Sequence, residues 1–101
     1  MDIEQIHIAS QPLRFKILYT LTKNEKVYAT SFAREFNMER KIIGFHLNSL
    51  EKAGLVKSEY GLSYEYRVAA VRYYEITKRG KEIVKSLSSS IAKNSQSPLF
   101  S

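Results

Sequence analysis

A chain of 101 residues has room for one domain around one modest core. It is 44% hydrophobic and 26% charged, a globular composition, and no apolar run approaches the roughly 20 residues that a bilayer span needs. There are no cysteines, which excludes disulfides and thiolate metal sites, and the net charge of +6 favours an anionic partner, nucleic acid first.

The N-terminus, MDIEQIHIAS, lacks the basic flank and apolar stretch of a signal peptide, so a cytoplasmic location is expected. Ile3 to Ile8 gives a first, short helical signal. In SQPLRFKILYTLTKN, Ser10 is placed to cap a helix whose first turn holds Pro12, where proline is tolerated. Leu13, Ile17, Leu18 and Leu21 then share one face. Asn24 to Lys26 breaks the period, and Val27 begins a very short strand. A further helix is predicted from about Thr30 to Phe36, with Phe32, Ala33 and Phe36 inward; Asn37 ends it in a left-handed turn. The next runs from about Glu39 to Ala53 and stops at Gly54. After Gly54 the period changes from helix to strand. Leu55 to Tyr60 and Val71 to Ile76 form a hairpin around the tip GLSYEYRVAA. The last helix is capped by Thr77 and runs to about Ala92, with an apolar stripe of Ile83, Val84, Leu87 and Ile91. Residues 1–93 thus form a single domain and 94–101 a flexible tail. The fold class is mainly α with a small β-hairpin (α+β). The order helix, helix, tight turn, helix, two-stranded ribbon, helix is that of a winged helix-turn-helix.

The helix over KIIGFHLNSLEK divides by angle. At about 100° per residue with Ile43 as zero, Leu47, Leu50 and Gly54 fall within roughly 40° and form the buried stripe. Lys41, Phe45, Asn48 and Lys52 lie opposite, Gly44 lies between, and Arg40 leads from the first turn. Such a face suits a major groove. Lysine and arginine meet phosphates or guanine edges, asparagine bonds adenine, and phenylalanine can touch a thymine methyl. The plainer alternative is a solvated helix face. Against it, an exposed phenylalanine wants a partner, DNA or protein. His46, at the edge of the stripe, reads first as a packed, hydrogen-bonded residue and second as a phosphate contact. No nucleophile or metal-ligand constellation accompanies it.

Five of the seven tyrosines lie between residues 60 and 74. Ordinary sheet packing explains some of them, since Tyr73 and Tyr74 must point to opposite faces. Tyr64, Tyr66 and Arg67 at the tip, and Arg72 beyond it, are candidates for contact with a minor groove or phosphates.

PLRFKILYTL resembles the first core helix of ArsR-type and MarR-type winged-helix regulators. KIIGFHLNSLEKAGLV resembles their recognition helix and its exit, and YYEITKRGKEIV the second wing strand entering the last helix. Compact size and Lys/Ile/Tyr richness point to an archaeal or archaeal-viral version. The resemblance implies a homodimer on double-stranded DNA, with recognition helices in major grooves and wings in minor grooves. It puts groove contacts on Arg40, Lys41, Gly44, Phe45 and Asn48, and wing contacts near Tyr64 to Arg67. It puts the dimer face on Ile3, Ile6, Ile83, Leu87 and Ile91, although the last-helix stripe also reads as intramolecular core. Metal-sensing members use cysteine or histidine/carboxylate sites that this chain lacks, so no metal and no cofactor is expected. A chain this short leaves little room for a small-molecule pocket. Gly44 stands where the family usually has a small hydroxyl residue.

The leading expectation is a sequence-specific, dimeric DNA-binding transcriptional regulator, a repressor acting by occlusion. The alternatives are a winged-helix protein-interaction module and a non-specific architectural DNA-binding protein. An enzyme is not expected, because no acid–base pair, nucleophile or phosphate loop is visible.

Overall fold

The computed structural model describes residues 3–24, 26–63 and 69–94, and for Ser63, Ala69 and residues 90–94 the backbone alone. Five helices and three strands follow in the order α1 (Ile3–Ser10), α2 (Pro12–Lys23), β1 (Val27–Tyr28), α3 (Ala29–Phe36), α4 (Arg40–Lys52), β2 (Val56–Ser63), β3 (Ala69–Ile76) and α5 (Lys78–Asn94). The sheet is antiparallel with β3 in the middle, in the order β1-β3-β2. This is a winged helix-turn-helix: α3 and α4 form the helix-turn-helix, and β2 with β3 form the wing.

One core serves all these elements. Ile17, Leu18, Phe32, Ile43, Leu47, Leu50, Leu55 and Ile83 are fully buried in it. The stripe expected on the third helix is therefore the one that holds α4 down. Phe15, outside the expected face of α2, is buried as well, whereas Leu13 is only partly so. Of the adjacent tyrosines, Tyr74 packs inward, and Tyr73 lies edge-on to Tyr28 at 5.2 Å on the other side.

Two expectations are corrected. Ser10 does not cap α2. It closes the last turn of α1, its hydroxyl donating to His7 O at 3.0 Å, and Gln11 takes over as cap, its side chain accepting from Arg14 N at 2.9 Å. The first helix simply extends further than its apolar signal, leaving one residue for the junction. The wing strands are also longer than their alternation suggested. Pairing runs from Val56↔Ile76 out to Ser63↔Ala69, so Gly61 sits within a strand, opposite Val71, and not in the turn. A Cβ at Gly61 would stand 2.5 Å from the Tyr73 ring, so glycine makes space for that ring, whose hydroxyl donates to Leu62 O.

The helix ends explain how α4 is fixed. α3 stops where Asn37 turns left-handed (φ 54°), with Asn37 N bonding Arg34 O and Met38 N bonding Ala33 O. α4 stops in the same pattern. Gly54 is left-handed (φ 79°), Gly54 N bonds Glu51 O and Leu55 N bonds Leu50 O, each at 3.0 Å. Leu50 and Leu55, both fully buried, supply the apolar contact that accompanies this motif. Two other elements, α1 and α5, then grip this exit. Gln5 of α1 donates to Ala53 O at 2.9 Å and accepts from Arg79 of α5 at 2.7 Å. The Thr77 hydroxyl donates to Gly54 O at 2.8 Å while accepting from Gly80 N at 3.0 Å, capping α5 as expected.

Candidate nucleic-acid interface

With its C-terminal end pinned, α4 presents its N-terminal turns and outer face to solvent. Arg40, Lys41, Asn48 and Lys52 are all exposed, and Phe45 is 61% exposed. Its first turn contains no acidic residue and no side-chain cap; two cations stand there instead. Cations at a helix N-terminus oppose the macrodipole by about 0.3–1 kcal/mol each. A residue choice that works against local stability marks a position held for something other than folding.

Between this end of α4 and the wing lies a cleft of about 510 Å³. Arg40, Lys41 and Gly44 line one wall, Tyr60, Arg72 and Tyr74 the other, and Tyr28, Ala29 and Thr30 lie at the start of α3. Among the described residues the lining holds three cations and no carboxylate. A Cβ at Gly44 would meet no atom within 4 Å, so glycine leaves the cleft wider there without any internal packing requirement.

Arg72 is exposed, yet it does not project alone. Its guanidinium pairs with Glu51 of α4 at 3.0 Å, and its Nε–H donates to the Ser58 hydroxyl at 3.0 Å. Ser58 in turn donates to the second Glu51 oxygen at 2.6 Å. Tyr60 and Tyr74 flank the same guanidinium, their ring centroids 5.9 and 5.5 Å away. This triad bolts the wing to α4. Burial pushes the Tyr74 hydroxyl above its ordinary pKa of 10.0, so it stays a neutral donor at the back of the cleft. Glu51 and Ser58 were not singled out from the sequence, because nothing local in either segment shows that the hairpin folds back against α4.

His46 is half-buried at the edge of α4 and accepts a hydrogen bond at Nδ1 from Arg14 Nε at 3.0 Å. It is thus a packed, hydrogen-bonded residue, the first of the two readings above. Burial, and secondly the Arg14 charge, hold its pKa below the ordinary 6.5. Between the lowered folded value and 6.5 the unfolded chain binds more protons than the folded one, so stability rises with pH across that window. The contribution is fully present above 6.5 and is lost as pH falls from there through the folded value. Urea midpoints measured from pH 7 downward should therefore fall less steeply in His46→Gln, which keeps an acceptor for Arg14 without titrating. Parallel pH profiles would refute the assignment.

Tyr64, Tyr66 and Arg67 lie outside the described residues. Of the expected dimer face, Ile3 is 83% exposed, Ile6 and Leu87 are half-buried, and the Ile91 side chain is not described. Ile83 needs correcting from interface to core. It is fully buried within a single chain as part of the one core, and it has no surface left for a partner. Among the described residues no three histidine, aspartate or glutamate side chains converge as a metal site would require, and no helix is long and apolar enough to cross a membrane.

Residues 11–58, from the start of α2 to β2, match the family model of the arsR family of bacterial regulatory proteins. An uncharacterized HTH-type transcriptional regulator from the archaeon Methanocaldococcus jannaschii is 43% identical over 51 residues, which are 50% of this chain and 52% of that protein. The chain thus spans about half the length of the curated relative it matches. Among solved structures, a transcriptional regulator homologue from Pyrococcus horikoshii superposes with a TM-score of 0.71 at 26% identity, covering 86% of this chain and 83% of that one. A structure described as a possible transcriptional regulator for arsenical resistance gives a TM-score of 0.63 at 27% identity, over 89% and 85% of the two chains. A padR family regulator from Eggerthella lenta, at 16% identity and a TM-score of 0.61 over 86% and 81%, shares the fold. The chain has the winged helix-turn-helix fold, and its residues 11–58 are similar to the helix-turn-helix of the arsR family.

Proposed function

We propose that this protein is a double-stranded DNA-binding transcriptional regulator, not an enzyme, that acts as a homodimer and represses by occluding its operator. The observation that carries the reading is the cleft between α4 and the wing, where Arg40, Lys41 and Arg72 gather on the same side as the exposed face of α4. A duplex backbone carries about one negative charge per 1.7 Å, so cations gathered along a groove-sized helix are its natural counterpart. A net charge of +6 supports the same partner. Asn48 and Phe45, standing among the cations, supply base-edge contacts that lysine alone does not. For the dimer, Ile3 lies 83% exposed on α1, which packs beside α5. Two copies joined through this side would offer two recognition helices to successive major grooves.

The test is affinity for duplex DNA at several salt concentrations, with random and with selected sequences. Binding should weaken steeply with salt, and the selected duplex should win by several orders of magnitude. No binding at low salt would refute a DNA partner and leave the protein-interaction reading that Phe45 also permits. Equal binding of all duplexes would favour the architectural reading. Sedimentation of the complex reports two chains per site or one, and transcription from an operator-bearing template gives the sign of regulation.

A further inference from the structure

The outer face of α4 is divided lengthwise. On the wing side, Arg40, Lys41 and Gly44 line the cleft opposite Tyr60 and Arg72. On the α2 side lie Ile42 and Phe45, 40% and 61% exposed. They are three residues apart on one helix, so their side chains are neighbours and form a continuous apolar edge. Nothing else within the described fold covers this edge, although exposing it to water is unfavourable in proportion to its area.

The Phe45 ring is nevertheless buttressed. His46 meets it edge-on at 5.4 Å, and the Arg14 guanidinium of α2 lies 5.9 Å from its centroid while donating to His46. The ring is thus backed by a hydrogen-bonded pair from two elements. The Ser49 hydroxyl, four residues on, donates its proton to Phe45 O at 3.1 Å. The Ile42–Phe45 edge itself therefore offers a base edge no hydrogen bond. It can recognise only an apolar feature, and in a major groove the C5-methyl of thymine is the one that base pairs present.

We infer that the Ile42–Phe45 edge reads a 5-methyl pyrimidine, so that each half-site carries a thymine opposite Phe45, beside the positions read by Lys41 and Asn48. The inference rests on the DNA-binding reading above. It is continuous with that interface, since Phe45 shares its helix face with Lys41 and Asn48. A protein partner seated on the apolar edge would have to approach past Lys41 and the neighbouring Arg40.

Deoxyuridine differs from thymidine by the methyl alone. In the selected duplex, each thymine of one half-site is replaced in turn by deoxyuridine, and affinity is measured with the unaltered protein. One or two positions should weaken by roughly four-fold, the worth of one buried methyl. A 5-methylcytosine duplex with the same position changed should bind better than its cytosine counterpart. In Phe45→Ala, with an unchanged thermal midpoint, both differences should vanish. A specific duplex that tolerates every uracil, or a uracil effect that persists in Phe45→Ala, would overturn the inference while leaving DNA binding intact. Failure to bind any duplex would instead remove the DNA reading itself, and this inference with it.

Discussion

Replacing Gly80 with alanine should cost about 2 kcal/mol and lower the thermal midpoint by about 8–16 °C. Helix propensity alone gives the opposite sign. Gly80 lies in the first turn of α5, where alanine is favoured over glycine by up to about 1 kcal/mol. The close approach outweighs that gain. A Cβ at position 80 would stand 2.3 Å from the backbone oxygen of Leu55 and 2.6 Å from Ile76 Cγ1. The first of these is main chain and has no rotamer by which to move aside. Leu55 O is also the acceptor for Thr77 N, and Gly80 N is the donor to the Thr77 hydroxyl. Pushing α5 outward therefore loosens the cap and the grip on the α4 exit together. The measurement is a melting curve by far-ultraviolet dichroism. A midpoint that stays level or rises would show that α5 can shift at no cost.

The second large effect separates function from stability. The double variant Arg40→Ala/Lys41→Ala should lose roughly thirty-fold in affinity for the selected duplex for each chain bound, taking about 1 kcal/mol per contact, the low end of about 1–3. Its plot of log affinity against log salt should be shallower by about 1.8 for each chain bound, since each released counterion contributes about 0.9. The fold should not weaken. Both side chains are exposed, both sit at the unfavourable end of the helix dipole, and alanine is the better helix former. Lost affinity with an equal or higher melting temperature is the expected pair of results. A lost fold, or unchanged binding and salt slope, would remove these two residues from the interface.

Much of the fold was legible because its signals are local. Asn37 and Gly54 stand where the chain must turn left-handed, and the spacing of Ile43, Leu47 and Leu50 identifies the buried side of α4. The outward face followed by elimination, so Lys41, Phe45 and Asn48 could be placed on it from angle alone, and Arg40 from its place in the first turn. What stayed hidden depends on contacts between distant segments. The Glu51–Ser58–Arg72 triad exists only because the hairpin folds back on α4. Arg14 reaches His46 across 32 positions, and no periodicity encodes that meeting. Ile83 was misplaced because an apolar stripe on a terminal helix has the same pattern whether a partner or the chain's own core covers it. Tyr73 and Gly61 were hidden in another way, as a large ring and an absent side chain sharing one space across the ladder.

The placement of the Glu51–Arg72 pair has a mechanical consequence. β1 pairs only with Tyr73 and Tyr74 of β3, so from Arg72 outward to Ala69 the strand has β2 as its one neighbour in the sheet. Two strands alone make a compliant ribbon. The wing is thus a beam, braced on both flanks at its root and cantilevered over four residues, about 13 Å at the usual rise. Arg72, the first residue of the overhang, is tied to α4. A load applied along the ribbon is delivered as torque on α4 at Glu51, one turn from the end that α1 and α5 hold fast.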